Sequence, residues 1–160
     1  MKKNLILTVA LCLFISMSTL AKTYDITSYG AVPDGKTIAT QAINKAVTVC
    51  NAAGGGTVLV PAGTFLTGTI IMKNNVELYL ERGSTLLGST YYADYPLIQP
   101  TTYRSLKDIH GWASLIYADG AENIAVCGAG TIDGQGEAQQ GRPEYKDKEG
   151  DRDGRSRNIL

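Results

Sequence analysis

The chain has 160 residues, with 15 basic side chains, 15 acidic side chains and one histidine, so its formal net charge is zero. A balanced charge leaves no basic excess to neutralise phosphates, which argues against nucleic acid as the main partner. The length left after removal of an N-terminal leader is that of one ordinary domain.

The first residues have the features of an export signal. Lys2 and Lys3 are followed by an almost uninterrupted apolar run from Leu5 to Ile15, and small or polar residues continue to Ala21. The apolar run is shorter than the about 20 residues that a membrane span needs. Residues 1–21 are therefore predicted to be a cleaved signal peptide, which leaves an exported, periplasmic or extracellular protein without a membrane attachment. A retained N-terminal anchor helix is the alternative.

One amphipathic helix is predicted early in the mature chain. Before it, Thr23 to Ser28 alternates like a short strand, and Tyr29 to Gly35 is rich in turn formers. The triplet Gly54-Gly55-Gly56 cannot continue a helix, so the helix is expected between about Thr37 and Asn51. Its apolar face has helical spacing and consists of Ile38, Ala42, Ile43, Ala46, Val47 and Cys50.

From residue 57 onward the chain consists of short β-rich pieces that end in glycine, asparagine or proline. Two-residue hairpin turns are mostly missing, and no further amphipathic helix separates the pieces. Strands stacked as the coils of a solenoid therefore fit better than a meander or a doubly wound sheet. The predicted strands are 57–60, 69–72, 76–80, 85–87, 114–117, 123–127 and 130–133.

Two phrases place an asparagine directly before an apolar strand. They are Lys73 to Leu78, with Asn75, and Asp119 to Ile124, with Asn123. Asparagine tolerates the left-handed conformation, and its amide can hydrogen-bond to the coils above and below, so both phrases are predicted corners of a coil. Ordinary turns of a β-sandwich are the alternative.

A tyrosine-rich stretch interrupts the strand pattern between residues 91 and 112, and it is predicted to be an excursion from the stack. Its aromatic side chains either stack on sugar faces or pack the loop onto the coils. They are Tyr91, Tyr92, Tyr95, Tyr103 and Trp112. Residues 136–157 are charged, with almost no apolar side chain, and are predicted to be a solvated loop.

Two cysteines remain after the leader, Cys50 and Cys127. Both lie among apolar residues, as is typical of cysteines that serve as small buried side chains. Because an exported protein also permits disulfides, pairing of the two is the alternative.

A set of short segments, in a fixed order, carries a family resemblance. The segments are Tyr29-Gly30-Ala31 with Asp34-Gly35, Thr40 to Ile43, Gly54 to Val58, Pro61 to Phe65, Gly68 to Ile70, Lys73 to Val76, Glu81 to Gly83 and Gly128 to Gly136. Together they resemble the N-terminal signature of the polygalacturonase-like glycoside hydrolases, which degrade pectin. The resemblance implies an all-β fold, a right-handed parallel β-helix spanning residues 22–160, whose N-terminal end is covered by the helix around Ala42.

The resemblance also implies inverting hydrolysis of pectin-type polysaccharides without a metal or organic cofactor. In that chemistry one carboxylic acid protonates the leaving oxygen while other carboxylates, about 6.5 to 9.5 Å away, activate a water. The family's asparagine-threonine-aspartate, paired-aspartate, glycine-histidine-glycine and arginine-isoleucine-lysine motifs are absent from this chain. The lone His110 precedes the turn at Gly130 to Gly134 and is in the wrong order. No catalytic, metal-binding or cofactor-binding residue is carried over, and substrate-binding residues stay unassigned.

Two acidic features have both a structural and a functional interpretation. Asp133 is expected to turn the chain through an Asx-type hydrogen bond, with Gly134 and Gly136 in unusual conformations, and a catalytic role is the alternative. The second feature resembles a calcium loop, but Arg152 replaces the required glycine in one register and Leu160 replaces the final glutamate in the other, so no metal site is predicted. It consists of Asp147, Glu149, Asp151 and Asp153.

The phrase Asn158-Ile159-Leu160 repeats the pattern that opens a strand. The chain is therefore expected to be a truncated product or a fragment, inactive on its own. Three functions of the parent protein stay open: pectin hydrolase, non-catalytic carbohydrate-binding or adhesive β-helix, and polysaccharide lyase on the same scaffold. The kind of pectic polysaccharide, endo or exo cleavage, and the oligomeric state have no signal in this sequence.

Overall fold

Successive coils of the chain stack on one another, and their strands form parallel sheets that run along the stack. The computed structural model describes residues 22–96 and 114–138. The strands are β1 Thr23–Asp25, β2 Asp34–Ile38, β3 Gly56–Val60, β4 Gly63–Thr67, β5 Ile70–Ile71, β6 Val76–Leu80, β7 Ser84–Gly88, β8 Ile116–Tyr117, β9 Ala125–Gly128 and β10 Thr131–Asp133. The helix α1 is Thr40–Ala52, and short 3₁₀ turns are Ile26–Tyr29, Tyr92–Asp94 and Gly136–Ala138.

The strands form three sheets. Sheet A has the order β1-β3-β6-β9, sheet B has the order β2-β4-β7-β10, and sheet C contains β5 and β8. All of these pairs are parallel. The chain is a right-handed parallel β-helix, which confirms the predicted fold class. A β-sandwich is wrong because its neighbouring strands are antiparallel.

The core lies inside the coils because alternate residues of each strand point inward. In sheet A, Leu78 pairs with Val58 on one side and Val126 on the other. In sheet B, Leu86 pairs with Phe65 and Ile132 in the same way. Inward-facing apolar side chains of different coils therefore stack in rows.

The predicted asparagine corners are present. Asn75 and Asn123 have φ of 61° and 53°, in the left-handed region. The Asn123 Nδ2 donates to the Asn75 Oδ1 at 3.0 Å, which links two coils. One coil earlier the corner residue is Gly55, with φ +112°, where an added Cβ would lie 2.4 Å from the Asn75 carbonyl oxygen. The asparagine pair therefore stacks on a glycine that leaves it room.

Helix α1 covers the N-terminal end of the stack, as the family resemblance implies. It takes the place that a sheet C strand would have in the first coil, because it follows β2 of sheet B and precedes β3 of sheet A. The Asn44 side chain bonds to β5 and to the residue before it: Nδ2 donates to the Thr69 carbonyl and Oδ1 accepts from the Ile71 N–H. The buried face of the helix consists of Ala42, Ile43, Ala46, Val47 and Cys50.

The predicted start of the helix is three residues too early. Ile38 belongs to β2 and is 47% exposed, although its spacing fits the helical face. Asp34 accepts hydrogen bonds from the backbone N–H groups of Lys36 and Thr37, and β2 then pairs with β4. Local hydrogen bonds and strand pairing thus decide the conformation of residues 34–38.

Two strand predictions also need correction. The first strand ends at Asp25, whose Oδ1 accepts from the Thr27 N–H at 2.8 Å and starts a 3₁₀ turn. The strand β4 was not predicted, because Pro61 and Gly63 mark a turn next to it. Gly63 has φ +133° and begins a strand that pairs in register with β7.

Several predictions fall outside residues 22–96 and 114–138. They concern the leader 1–21, Tyr103, His110, Trp112, the acidic cluster from Asp147 to Asp153, and the phrase from Asn158 to Leu160. Among the described residues, no helix combines the length and apolar character that a bilayer crossing needs.

Candidate functional site

The excursion begins at the corner after β7, where hydrogen bonds hold its first residues against the stack. The buried Ser89 hydroxyl donates to the Asp94 carboxylate and accepts from the Tyr91 N–H. The Tyr95 hydroxyl donates to the Ser89 carbonyl at 2.9 Å. Because these bonds involve both the loop and the strand end, the root of the excursion is fixed in position.

The aromatic residues of this corner differ in their exposure to solvent. Tyr95 is buried and packs the loop down, with its ring centroid 6.4 Å from that of Tyr92. Tyr91 is 64% exposed and presents its ring to solvent. An exposed aromatic face on a fixed backbone is the kind of surface on which the apolar face of a sugar ring stacks.

Asp133 lies at the same corner, one coil further. It is exposed, and its Oδ1 accepts from the Gln135 N–H at 2.9 Å, which is the expected Asx-type bond. The left-handed residue is Gln135, with φ 48°, and not Gly134 or Gly136. The Gln135 amide donates to the Gly88 carbonyl at 2.6 Å and so bonds to the end of β7. These contacts give the Asp133 turn a structural role at the corner.

The outer face of sheet A contains a second polar pair. The Cys127 thiol donates to the Glu77 Oε1 at 2.9 Å. This hydrogen bond, with a smaller contribution from burial and from the negative charge of Glu77, raises the pKa of Cys127. The thiol therefore stays protonated at neutral pH and is a poor nucleophile.

Both cysteines of the described residues are free. Cys50 is buried on the apolar face of α1, as predicted, and burial raises the pKa of its thiol. The expectation is wrong for Cys127, which is exposed. Its register partner is Tyr79, on the outward side of β6, so the apolar neighbours in the sequence do not cover it. The structure does not contain the alternative disulfide.

An open hollow of about 360 Å³ runs along the corner asparagines beside Glu77. Its lining includes Thr57, Asn75, Asn123 and Ala125. Within residues 22–96 and 114–138, no three histidine, cysteine, aspartate or glutamate side chains come together as a metal-binding group. The described surface offers hydrogen-bonding groups and two exposed tyrosines, Tyr79 on sheet A and Tyr91 at the corner after β7.

These features define a pectate lyase-like parallel β-helix protein. A family model described as rhamnogalacturonase A/epimerase, pectate lyase-like, matches residues 23–106. The chain belongs to this family.

Several known proteins that are similar to the chain bear the names of polygalacturonases or a galacturonosidase. The chain is 36% identical over 129 residues to the exo-poly-alpha-D-galacturonosidase of Dickeya chrysanthemi. It is 32% identical over 130 residues to a probable polygalacturonase of Vitis vinifera. A solved structure, the Family 28 exopolygalacturonase of Yersinia enterocolitica, matches with 35% identity and a TM-score of 0.63. The resemblance to polygalacturonase-like glycoside hydrolases is confirmed.

The matches cover most of this chain and a small part of each relative. They include 74% and 77% of the chain but only 20% and 26% of the two relatives, in the order given. The structural match covers 71% of the chain and 21% of the Yersinia protein. The chain therefore corresponds to about a fifth to a quarter of these enzymes.

Proposed function

We propose that this chain forms the helix-capped coils of an exported glycoside hydrolase that acts on pectin-type polysaccharides. The observation that carries the proposal is the similarity to named polygalacturonases over 129 and 130 residues. The family model, which matches residues 23–106, includes the helix α1 and the strands β1 to β7. The fixed corner with exposed Tyr91 supports a role in carbohydrate contact. A lyase or a purely adhesive protein has less support from the relatives.

The 160 residues on their own are proposed to be inactive. Glycoside hydrolysis of this kind needs two carboxyl groups with separate protonation roles facing one bond. The sequence lacks the paired aspartates and the asparagine-threonine-aspartate motif that would supply them. The Asp133 carboxylate is occupied by its own turn.

A reducing-sugar assay tests this proposal. Purified chain and an Asp133→Asn variant are incubated with polygalacturonate, and both are expected to give the signal of the blank. Activity that the variant loses would show that Asp133 is catalytic and that the chain is sufficient. Sequencing of the gene beyond codon 160 tests the parent function, since the missing aspartate motifs should follow in frame or after a frameshift.

Export is the second part of the proposal, and the apolar leader supports it. Replacement of Leu7, Leu11 and Leu13 by aspartate should leave the chain in the cytoplasm, because a charged leader is not recognised as a signal. Cell fractionation measures the outcome. Normal export of the variant would contradict the signal-peptide interpretation.

A further inference from the structure

Alternate residues of the sheet A strands point outward and form one side of the stack, the sheet A face. Tyr79 on this face is 37% exposed, and Ala125 and Cys127 beside it are exposed as well. This part of the face is therefore open to a ligand. The outward residues of β3, β6 and β9 are Thr57, Leu59, Glu77, Tyr79, Ala125 and Cys127.

Tyr79 is the aromatic residue of the sheet A face. Its partners in the strand register are Leu59 on one side and Cys127 on the other, and neither is charged or larger than the tyrosine. A tyrosine on a paired strand has a fixed backbone, and its exposed ring offers an apolar surface together with a hydroxyl group. Such a side chain can stack on the apolar face of a sugar ring.

The carboxylate of Glu77 lies on the same face, two residues before Tyr79 in β6. Its Oε1 accepts from the Cys127 thiol at 2.9 Å, and this bond restricts the orientation of the carboxylate. A carboxylate has about four acceptor sites, so Oε2 can still accept from a ligand hydroxyl group. Because the acceptor is ionised, such a hydrogen bond is stronger than one between neutral groups. Cys127 is in this arrangement a positioning residue for Glu77.

The hollow of about 360 Å³ adjoins Glu77 and adds further hydrogen-bonding groups. Thr57, which pairs with Glu77 in the strand register, brings a hydroxyl group. The amides of Asn75 and Asn123 also line the hollow, and the bond from the Asn123 Nδ2 to the Asn75 Oδ1 fixes both of them. This bond leaves the Asn75 Nδ2 as a donor and the Asn123 Oδ1 as an acceptor. A mixture of donors and acceptors suits sugar hydroxyl groups, which both donate and accept.

The charge of the sheet A face selects among glycans. In the strands β1, β3, β6 and β9 the charged residues are Asp25 and Glu77, and none of these strands contains a lysine or an arginine. An anionic glycan such as polygalacturonate would be repelled by Glu77 without a basic partner in the strands. A neutral glycan avoids this repulsion, and its hydroxyl groups can use the donors and acceptors of the face. The charge therefore favours a neutral glycan over an acidic one.

We propose that the sheet A face is a binding site for a neutral glycan, in which Tyr79 stacks on a sugar ring and Glu77 accepts from sugar hydroxyl groups. A neighbouring sugar of the same glycan lies in the hollow, beside Thr57 and the corner asparagines. The site is separate from Tyr91, because the corner after β7 joins sheets B and C. Glycan binding at sheet A is therefore independent of the hydrolysis proposed for the parent enzyme.

Affinity electrophoresis of the purified chain tests the proposal. Native gels contain hydroxyethylcellulose, neutral galactan or polygalacturonate, and a gel without polysaccharide gives the reference mobility. At least one of the two neutral glycans is expected to retard the chain, and Tyr79→Ala should lower the apparent affinity about tenfold. Tyr91→Ala, the matched control at the other exposed tyrosine, should bind like the unmodified chain.

Three outcomes of this experiment would overturn the proposal. The first is unchanged mobility of the chain in both neutral gels. The second is an equal loss of retardation in Tyr79→Ala and Tyr91→Ala, which would show that the two sites are not separate. The third is retardation by polygalacturonate that depends on Tyr79, which would show that the face prefers an acidic glycan.

Variants of Glu77 and Cys127 test the hydrogen-bonding part of the site in the same gels. Glu77→Ala should lower the apparent affinity for the neutral glycan about tenfold, because the ligand loses a charge-assisted hydrogen bond. Cys127→Ala should lower it about threefold, since the carboxylate loses its fixed orientation, whereas Cys127→Ser should bind like the unmodified chain because its hydroxyl group can donate to Glu77. Circular dichroism melts check that each variant is folded. Unchanged binding by Glu77→Ala, or equal binding by the two Cys127 variants, would contradict these roles.

Discussion

The carboxylate of Asp34 decides the conformation of its segment. It accepts hydrogen bonds from the N–H groups of Lys36 and Thr37 and from the Thr37 hydroxyl, all between 2.7 and 2.8 Å. These bonds stabilise the ionised form and lower the pKa of Asp34 to about 2. The folded protein therefore holds the charged carboxylate more strongly than the unfolded chain does.

Replacement of Asp34 by asparagine is expected to lower the melting temperature at pH 6. Since the pKa of Asp34 falls from 3.8 to about 2 on folding, the ionised group contributes its full stability above pH 3.8. The contribution disappears as the pH falls towards 2. The difference between the two proteins should therefore shrink over this interval, as followed by circular dichroism melts at several pH values. A Glu137→Gln variant controls for the loss of one surface charge, and a difference that grows in acid would contradict the assignment.

The amino-acid sequence predicts the structural roles of some single residues but not of others. The corner asparagines were predictable because a left-handed residue before an apolar strand is a local requirement. The bond from Gln135 to Gly88 and the contact of Cys127 with Glu77 were not predicted, since each joins residues of different coils. Their proximity depends on the strand register, which no short motif specifies.

At the scale of elements, strand pairing overrides periodicity. Ile38 has the spacing of the helical face but lies in a strand, where the Ala39 N–H donates to the Leu66 carbonyl at 2.8 Å. The helix itself was predicted because its remaining apolar residues face one side. The role of Asn44 was not predictable, because the sequence does not distinguish an amide that bonds to a strand edge from any other polar residue on a helix.

Replacement of Asn44 by alanine is expected to destabilise the protein by about 1–3 kcal/mol, because the Thr69 carbonyl and the Ile71 N–H lose their partner at a half-buried edge. Lys45→Ala, at the exposed next position of the helix, should change stability by no more than about 0.5 kcal/mol. Urea unfolding followed by circular dichroism compares the two variants. Equal stability would mean that water satisfies the β5 edge and that the helix covers the coil by apolar contact alone.

At the scale of the whole molecule, the two ends of the described stack differ. At one end, helix α1 hydrogen-bonds to backbone groups at the edge of sheet C and covers the core. At the other end, inward-facing side chains of β9 and β10 are partly exposed. The β-helix was predictable from missing hairpin turns and repeated corners. The position of the exposed core residues was not, because it depends on which coils stand above and below each strand.

The same substitution at two inward positions of sheet A, two coils apart, measures this asymmetry. Val58 and Val126 lie on either side of Leu78 in sheet A, but Val58 is fully buried and Val126 is 43% exposed. Val58→Thr is expected to cost about 1–3 kcal/mol, because it buries a hydroxyl group without a partner. Val126→Thr should change stability by no more than about 0.5 kcal/mol, because water reaches the hydroxyl group.

The Val126→Thr variant should also self-associate less than the unmodified chain, since the substitution removes apolar surface from the end of the stack formed by β9 and β10. Urea unfolding gives the two stability changes, and sedimentation or light scattering over a range of concentrations gives the association. A large loss of stability in Val126→Thr, matching that of Val58→Thr, would mean that position 126 is buried in solution. If Val126 is buried, either a second copy of the chain or another segment of the same chain covers it. Stability that falls on dilution would then indicate a second copy, because only that contact is lost at low concentration.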